Sequence, residues 1–266
     1  MTPRFRRVRP FLGRCWAKCG GAIVFYTILP LPRWWVPQFE GIAALAPWVG
    51  LGLGLGLAGA NWALAELGLT VLLRSALVVG LWLWVTGGLH LDGAMDSADG
   101  LAVQDPQQRL TVMADSRCGA FGVMAAIAIL GLKTLALAEL TLGQPGVLVL
   151  AALWGRWGQV VAILRYPYLK ATGKGAFHKP HLRWPWALIG GLGASGLATG
   201  GWIWCWPDQW LLALGVWGGG MAIAMAVGAW FQRRLGGHTG DTYGATVEWT
   251  EVLVLGWAAM LTHWVL

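Results

Sequence analysis

Asp92, Asp96 and Asp99 fall within eight positions of one short stretch, "HLDGAMDSADG", at residues 90–100. On a helix the i, i+4, i+7 spacing turns their carboxylates to within about 60° of one another, so that all three address one point. Like charges so close repel unless one is protonated or a cation sits among them. A hard divalent ion such as Mg²⁺, which prefers oxygen ligands and keeps waters that substrate phosphates can replace, is the natural occupant. The ordinary alternative is a solvated acidic loop, and the spacing argues against it.

The segment "MADSRCGAFG" at 113–122 adds Asp115 and Arg117. Phosphoryl transfer from a diphosphate needs its negative charge neutralised and its leaving group stabilised, and one or two metal ions supply both. On this basis Asp92, Asp96, Asp99 and Asp115 are candidate metal ligands, with Asp96, Asp99 and Asp115 the catalytic set. Asp115 is the favoured base for an incoming hydroxyl, and Arg117 is positioned to clamp a phosphate oxygen beside the amides of a helix start. A plain N-cap by Asp115 or Ser116 is compatible with that role. His90 is assigned to substrate binding, either capping the site or ending its helix.

A third segment, "GGHTGDTYGATVEWTE" at 236–251, has four glycines in nine residues, so its backbone can approach a ligand closely. His238, Thr239 and Asp241 are substrate-binding candidates there. Glu248 and Glu251, seven and ten residues after Asp241, share a broad helical face with it and are assigned to substrate binding or support of the metal site. A flexible loop followed by a helix with an acidic first turn is the simpler account. Within "RYPYLKATGKGAFHKPHLR" at 165–183, Lys170 and Lys174 are candidate phosphate contacts, although topology-setting charge explains most of that loop. His178 and His181 have no acidic or Cys partners nearby, which argues against zinc. The four cysteines form no C-x-x-C pair and imply neither a disulfide framework nor a metal cluster.

The elements that must position these residues are set by composition. Of 266 residues 57% are hydrophobic and 12% charged, which excludes an ordinary soluble domain. The expected fold is all-α, a polytopic helical bundle forming a single integral membrane domain over 1–266. Apolar segments of about 20 residues predict about seven transmembrane helices, near 42–60, 67–88, 120–140, 146–166, 184–206, 209–230 and 245–265. "GAIVFYTILPLP" at 21–32 is short and ends in prolines, and is expected to be re-entrant or interfacial. With the N-terminal tail inside, the inner segments hold Arg4, Arg6, Arg7, Arg9, Arg109, Arg117, Lys170, Lys174, Lys179, Arg183, Arg233 and Arg234, and the outer loops hold no Lys or Arg. This is the positive-inside pattern, so the net charge of +7 is chiefly a topology signal rather than one for nucleic acid. The acidic segments then lie on the cytoplasmic side. "GLGLAG" at 54–59 fits the dinucleotide fingerprint only formally: it lies within a span, where packing of small residues between helices explains it.

The three segments "GGLHLDGAMDSADG", "DSRCGAFG" and "GGHTGDTYGATVEWTE", in this order, closely resemble the signatures of the cobalamin synthase family, the adenosylcobinamide-GDP ribazoletransferases. Weaker likenesses flank them in "FYTILPLP" and "RYPYLKATGKG". The resemblance implies a Mg²⁺-dependent enzyme of the bacterial-type cytoplasmic (inner) membrane, with its site facing the cytoplasm. Its expected substrates are adenosylcobinamide-GDP and α-ribazole or its 5′-phosphate, its products adenosylcobalamin or the 5′-phosphate, with release of GMP. Its partners are these substrates and the lipid bilayer, with no nucleic acid; association into oligomers stays open. The family is also similar to the CDP-alcohol phosphotransferases, whose D-x-x-D-G core is matched by "DSADG", but "LAV" follows where Ala-Arg is expected. The alternatives are another membrane CDP-alcohol-type phosphotransferase or a Mg²⁺-dependent prenyltransferase, and after them a transporter. A prenyltransferase should carry two tight Asp-rich motifs, and the second acidic segment here is sparse; a transporter should carry midplane charges and repeat symmetry, whereas the acidic groups here concentrate toward one membrane face.

Overall fold

In the computed structural model, residues 11–170, 175 and 177–265 are described. Lys174 and the four arginines of the N-terminal tail lie outside the described residues. Ten helices occupy the described chain: α1 (Phe11–Tyr26), α2 (Ala46–Glu66), α3 (Val71–Val85), α4 (Leu89–Ala102), α5 (Arg109–Val112), α6 (Ala120–Ala138), α7 (Pro145–Arg165), α8 (Trp186–Cys205), α9 (Trp210–Leu235) and α10 (Gly240–Val265). Extended pairing among the described residues is limited to one isolated bridge, between Tyr168 and His238.

Each of the seven apolar stretches read from the sequence contains a long helix. Short connections between α2 and α3, α6 and α7, α8 and α9, and α9 and α10 make these helices alternate in direction. The length and apolarity expected of a membrane span are met by four stretches, Ile42–Glu66, Ala120–Ala138, Pro145–Arg165 and Pro207–Leu235. The count becomes five if α3 and α4, bent by 91°, are taken as one broken crossing. The expected seven are therefore present as helices but not all as apolar spans. Carboxylates in α10 and the many glycines and tryptophans of α8 make these two helices less apolar. The α3–α4 bend sits at Gly87 and Gly88, whose positive φ values of 61° and 69° suit glycine. So sharp a turn brings α4 against α10 and α6. At the N-terminus, α1 is 16 residues long, about 24 Å, short of a hydrocarbon core of about 30 Å. It stops ahead of Pro30 and Pro32, in keeping with an interfacial segment.

The bundle is built around α7. That helix is apolar on every side apart from Arg156 and Gln159 and is buried along nearly its whole length, as a helix without a polar face must be. Around it pack α2, α8, α9 and α10. The α2–α7 contact depends on small residues: a Cβ at Gly50 would lie 2.6 Å from the Ala152 carbonyl oxygen, and one at Gly54 2.5 Å from the Val149 Cα. Of the glycines in the 54–59 stretch Gly54 alone serves helix packing as expected, joined by Gly50 before it, whereas Gly52, Gly56 and Gly59 face open space. Away from the acidic residues, Trp202 Nε1 donates to Gln209 Oε1 at 2.9 Å and Gln144 Nε2 to Thr262 Oγ1 at 3.2 Å, tying the far loops together.

Candidate active site

Residues 89–102 fold as the helix α4 that the Asp spacing requires. α4 crosses α10 so closely that side chains are excluded at the contact. A Cβ at Gly93 would lie 2.5 Å from the Asp241 carbonyl oxygen, and one at Gly244 2.8 Å from that of His90. These two glycines therefore bring the start of α10, with Asp241, against the acidic face of α4. The Thr239 hydroxyl accepts from the Thr242 amide at 3.3 Å, the N-cap geometry that starts α10. Thr239 also donates to Asp241 Oδ2 at 3.1 Å.

The opposite wall is the chain after α7. His238 donates its amide to the Pro167 carbonyl at 2.9 Å, and Leu169 donates to the His238 carbonyl at 2.8 Å. This pinning delivers Lys170, whose Nζ is 2.9 Å from Asp241 Oδ2. Together these elements enclose a cleft of about 650 Å³. Asp92, Asp241 and Lys170 stand in its lining with His90, Gln159, Tyr168, His178 and Tyr243. Burial, then the charges of Asp92 and Asp241, push the Asp96 carboxyl up to about 6, with Lys170 opposing and Asp99 adding a smaller upward push. Asp92, Asp96 and Asp241 thus form one repelling acidic group shared by two helices.

Asp99 and Asp115 are placed differently. Asp99 turns to the start of α6, where its oxygens accept from the Gly119 and Gly122 amides, each at 2.8 Å. Both glycines are needed there, because a Cβ at either would collide with the Asp99 carboxylate. Asp99 therefore caps α6 from a neighbouring helix, with favourable helix-dipole charge. Asp115 is spent on Arg117, at 2.6 Å, in a pair whose side chains are 37% and 88% exposed. The Arg117 hydrogen bonds hold the Asp115 carboxyl down to about 2, which suits a fixed anion and not a proton acceptor. The expected four-Asp ligand set is accordingly not gathered. Among the described residues no three His, Cys, Asp or Glu side chains stand close enough together, as they are, to hold a metal ion. Asp92 and Asp241, which share the cleft lining, are hard oxygen donors of the type Mg²⁺ takes, and Asp96 is the carboxylate on which both act.

Other expected contacts have structural partners. His238 is fully buried, its Nε2 3.1 Å from the Gly228 carbonyl and its Nδ1 3.1 Å from the Thr242 hydroxyl, so it holds the α9–α10 turn together. Glu248 and Glu251 do not line the cleft. Their carboxylates point into the bundle, where Lys133 of α6 lies 2.7 Å from Glu248 and 2.5 Å from Glu251, and Arg156 of α7 lies 2.7 Å from Glu251. Arg156 Nε and Nη2 have no hydrogen-bond partner among the described residues. Sequence reasoning passed over Lys133 and Arg156. The signal was available, since a cation inside an apolar span is a functional or pairing hypothesis by default. It also passed over Tyr26 and Gln159, two polar groups buried beside the cleft, for which the sequence offers no cue.

Long apolar helices packed as a bundle define a polytopic membrane protein, and its cleft is acidic and flanked by a lysine. Comparison with known proteins makes this specific. The family model described as cobalamin-5-phosphate synthase matches residues 18–259, and the chain belongs to that family. A protein of Trichormus variabilis named adenosylcobinamide-GDP ribazoletransferase is 55% identical over 244 residues, 91% of this chain and 96% of the relative. A relative of the same name from Synechococcus elongatus is 52% identical over 244 residues, 90% of this chain and 94% of its own. Another, from Prochlorococcus marinus, is 39% identical over 254 residues, 91% and 94% of the two chains. No solved structure matches the chain.

Proposed function

We propose that this chain, acting as a single membrane catalytic domain, joins adenosylcobinamide-GDP to α-ribazole or its 5′-phosphate. The products are adenosylcobalamin or its 5′-phosphate, and GMP. The observation that carries the reading is the cleft lined by Asp92, Asp241 and Lys170, with Asp96 behind it under the charge of both aspartates, in a chain whose relatives bear the name of that activity. A ribazole hydroxyl attacks the phosphorus borne by the cobinamide, its proton passing to solvent, while the bond from that phosphorus to the bridging oxygen breaks and GMP departs with the electron pair.

Asp92, Asp96 and Asp241 are the residues that would hold Mg²⁺. When bound, the ion supplies neutralisation of the diphosphate and stabilisation of the leaving phosphate. Lys170 keeps Asp241 in place and adds positive charge beside the diphosphate. Asp99 contributes by fixing α6 against α4, and Glu248 and Glu251 by fixing α10 against α6 and α7. The protein resides in the cytoplasmic (inner) membrane with the cleft toward the cytoplasm. This orientation is supported by Lys170, Lys179, Arg183, Arg233 and Arg234, which lie on the loops and helix end around the cleft.

Protein in detergent or liposomes, given adenosylcobinamide-GDP, α-ribazole and Mg²⁺, is expected to release GMP together with corrinoid product. A chelator is expected to stop the release and added Mg²⁺ to restore it. Release that continues undiminished in chelator would remove the metal from this account, and the absence of release with both substrates present would remove the reaction.

A further inference from the structure

The cleft has two chemically different ends. At its mouth stand Asp92, Asp241 and Lys170, and deeper in it the lining is uncharged: His90, Gln159, Tyr243 and His178, beside the ring of Phe25. His90, Gln159 and Tyr243 are 2%, 4% and 2% exposed. Both ring nitrogens of His90, Oε1 of Gln159 and the hydroxyl of Tyr243 have no hydrogen-bond partner among the described residues. The hydroxyl of Tyr26, whose ring lies 6.1 Å from that of His90, is also buried and lies within reach of the Gln159 side chain, so Gln159 and Tyr26 can satisfy each other in part while His90 and Tyr243 cannot. Buried polar groups in native proteins are nearly always partnered, so several converging on one cleft call for an explanation, and a ligand that completes them is one.

We infer that this deep part of the cleft is the seat of the ribosyl-benzimidazole acceptor, with His90, Gln159 and Tyr243 hydrogen-bonding its ribose and base while Phe25 covers its plane. The inference rests on the proposed reaction and adds a location for one of its substrates. Planar aromatic walls with mixed donors and acceptors fit a nucleoside. They do not fit a diphosphate, which needs cations, and the corrin macrocycle with its amide arms is too bulky for this inner end. The donor also carries a nucleoside, its guanosine, and geometry separates the two. Attacking and leaving oxygens lie roughly in line across the phosphorus. With the diphosphate at the charged mouth and GMP leaving on the open side, the attacking hydroxyl approaches from within.

Three variants of the full chain in detergent test this: Tyr243→Phe, which deletes only an oxygen without a protein partner, Tyr26→Phe and Gln159→Leu. KM for α-ribazole is expected to rise about tenfold in Gln159→Leu and about threefold in Tyr243→Phe, as for a binding group left unpaired. KM for adenosylcobinamide-GDP, and kcat at saturating α-ribazole, should stay within about twofold, because the charged mouth is untouched. Calorimetric titration with α-ribazole alone, donor absent, should show the same weakening. Unchanged KM for α-ribazole in the two tyrosine variants and in Gln159→Leu would overturn the assignment. So would a rise confined to the donor's KM, which would give the seat to guanosine. GMP release by the unaltered protein is required in either case, so failure of the reaction itself is seen separately.

Discussion

Asp96→Asn, which keeps the shape of the side chain and removes its charge, is expected to lower kcat for GMP release by about 10²–10³-fold, some 2.7–4 kcal/mol of transition-state stabilisation. The expectation follows from where Asp96 stands. It is the carboxylate on which Asp92 of its own helix and Asp241 of α10 both act, so it links the two halves of the acidic group. Asp241→Asn should lose a comparable factor and should also free Lys170, its partner at 2.9 Å. Single-turnover release of GMP at saturating donor measures the effect on chemistry apart from binding. Full activity in Asp96→Asn would mean that the cleft does not use this group.

Lys133→Met is expected to destabilise the bundle by about 3–5 kcal/mol, the usual consequence of leaving a buried charge without its partner. Lys133 and Arg156 balance Glu248 and Glu251, two charges of each sign, and all four side chains are at most 7% exposed. Removing one cation strands a carboxylate among apolar helices. The double variant Lys133→Met with Glu248→Gln leaves Arg156 paired with Glu251 and should recover most of the loss. Thermal unfolding in a fixed detergent, compared across the two singles and the double, gives the coupling. Equal losses in single and double variants would show that Lys133 matters for its packing and not for its charge.

Much of this arrangement was legible in the chain. Three carboxylates at i, i+4, i+7 required a helix, and α4 is that helix. Apolar stretches of about 20 residues marked the long helices, and of the glycines in "GLGLAG" at 54–59 Gly54 makes the close helix contact expected there. Long-range pairing was not legible, because periodicity says which residues share a face but not what that face meets. Asp99 looked like a metal ligand by spacing alone, yet its partners are amides 20 and 23 positions away, at the start of α6. Asp115 lay near the acidic helix in sequence, but its nearest cation is two residues on, and the local pair won. Asp241 belongs with the α4 carboxylates only because Gly93 and Gly244 let two helices touch, a tertiary fact. Glu248 and Glu251 read as edge-of-membrane substrate contacts because their cations, Lys133 and Arg156, lie 95 to 118 residues away.

The measurement that bears most directly on the account is titration of Mn²⁺, as a paramagnetic stand-in for Mg²⁺, into the purified protein by electron paramagnetic resonance. Unaltered protein and Asp115→Asn should bind alike, whereas Asp96→Asn and Asp241→Asn should each bind at least about tenfold more weakly, as expected when a ligand oxygen loses its charge. Loss of binding in Asp115→Asn with full binding in Asp241→Asn would contradict an acidic centre shared between α4 and α10.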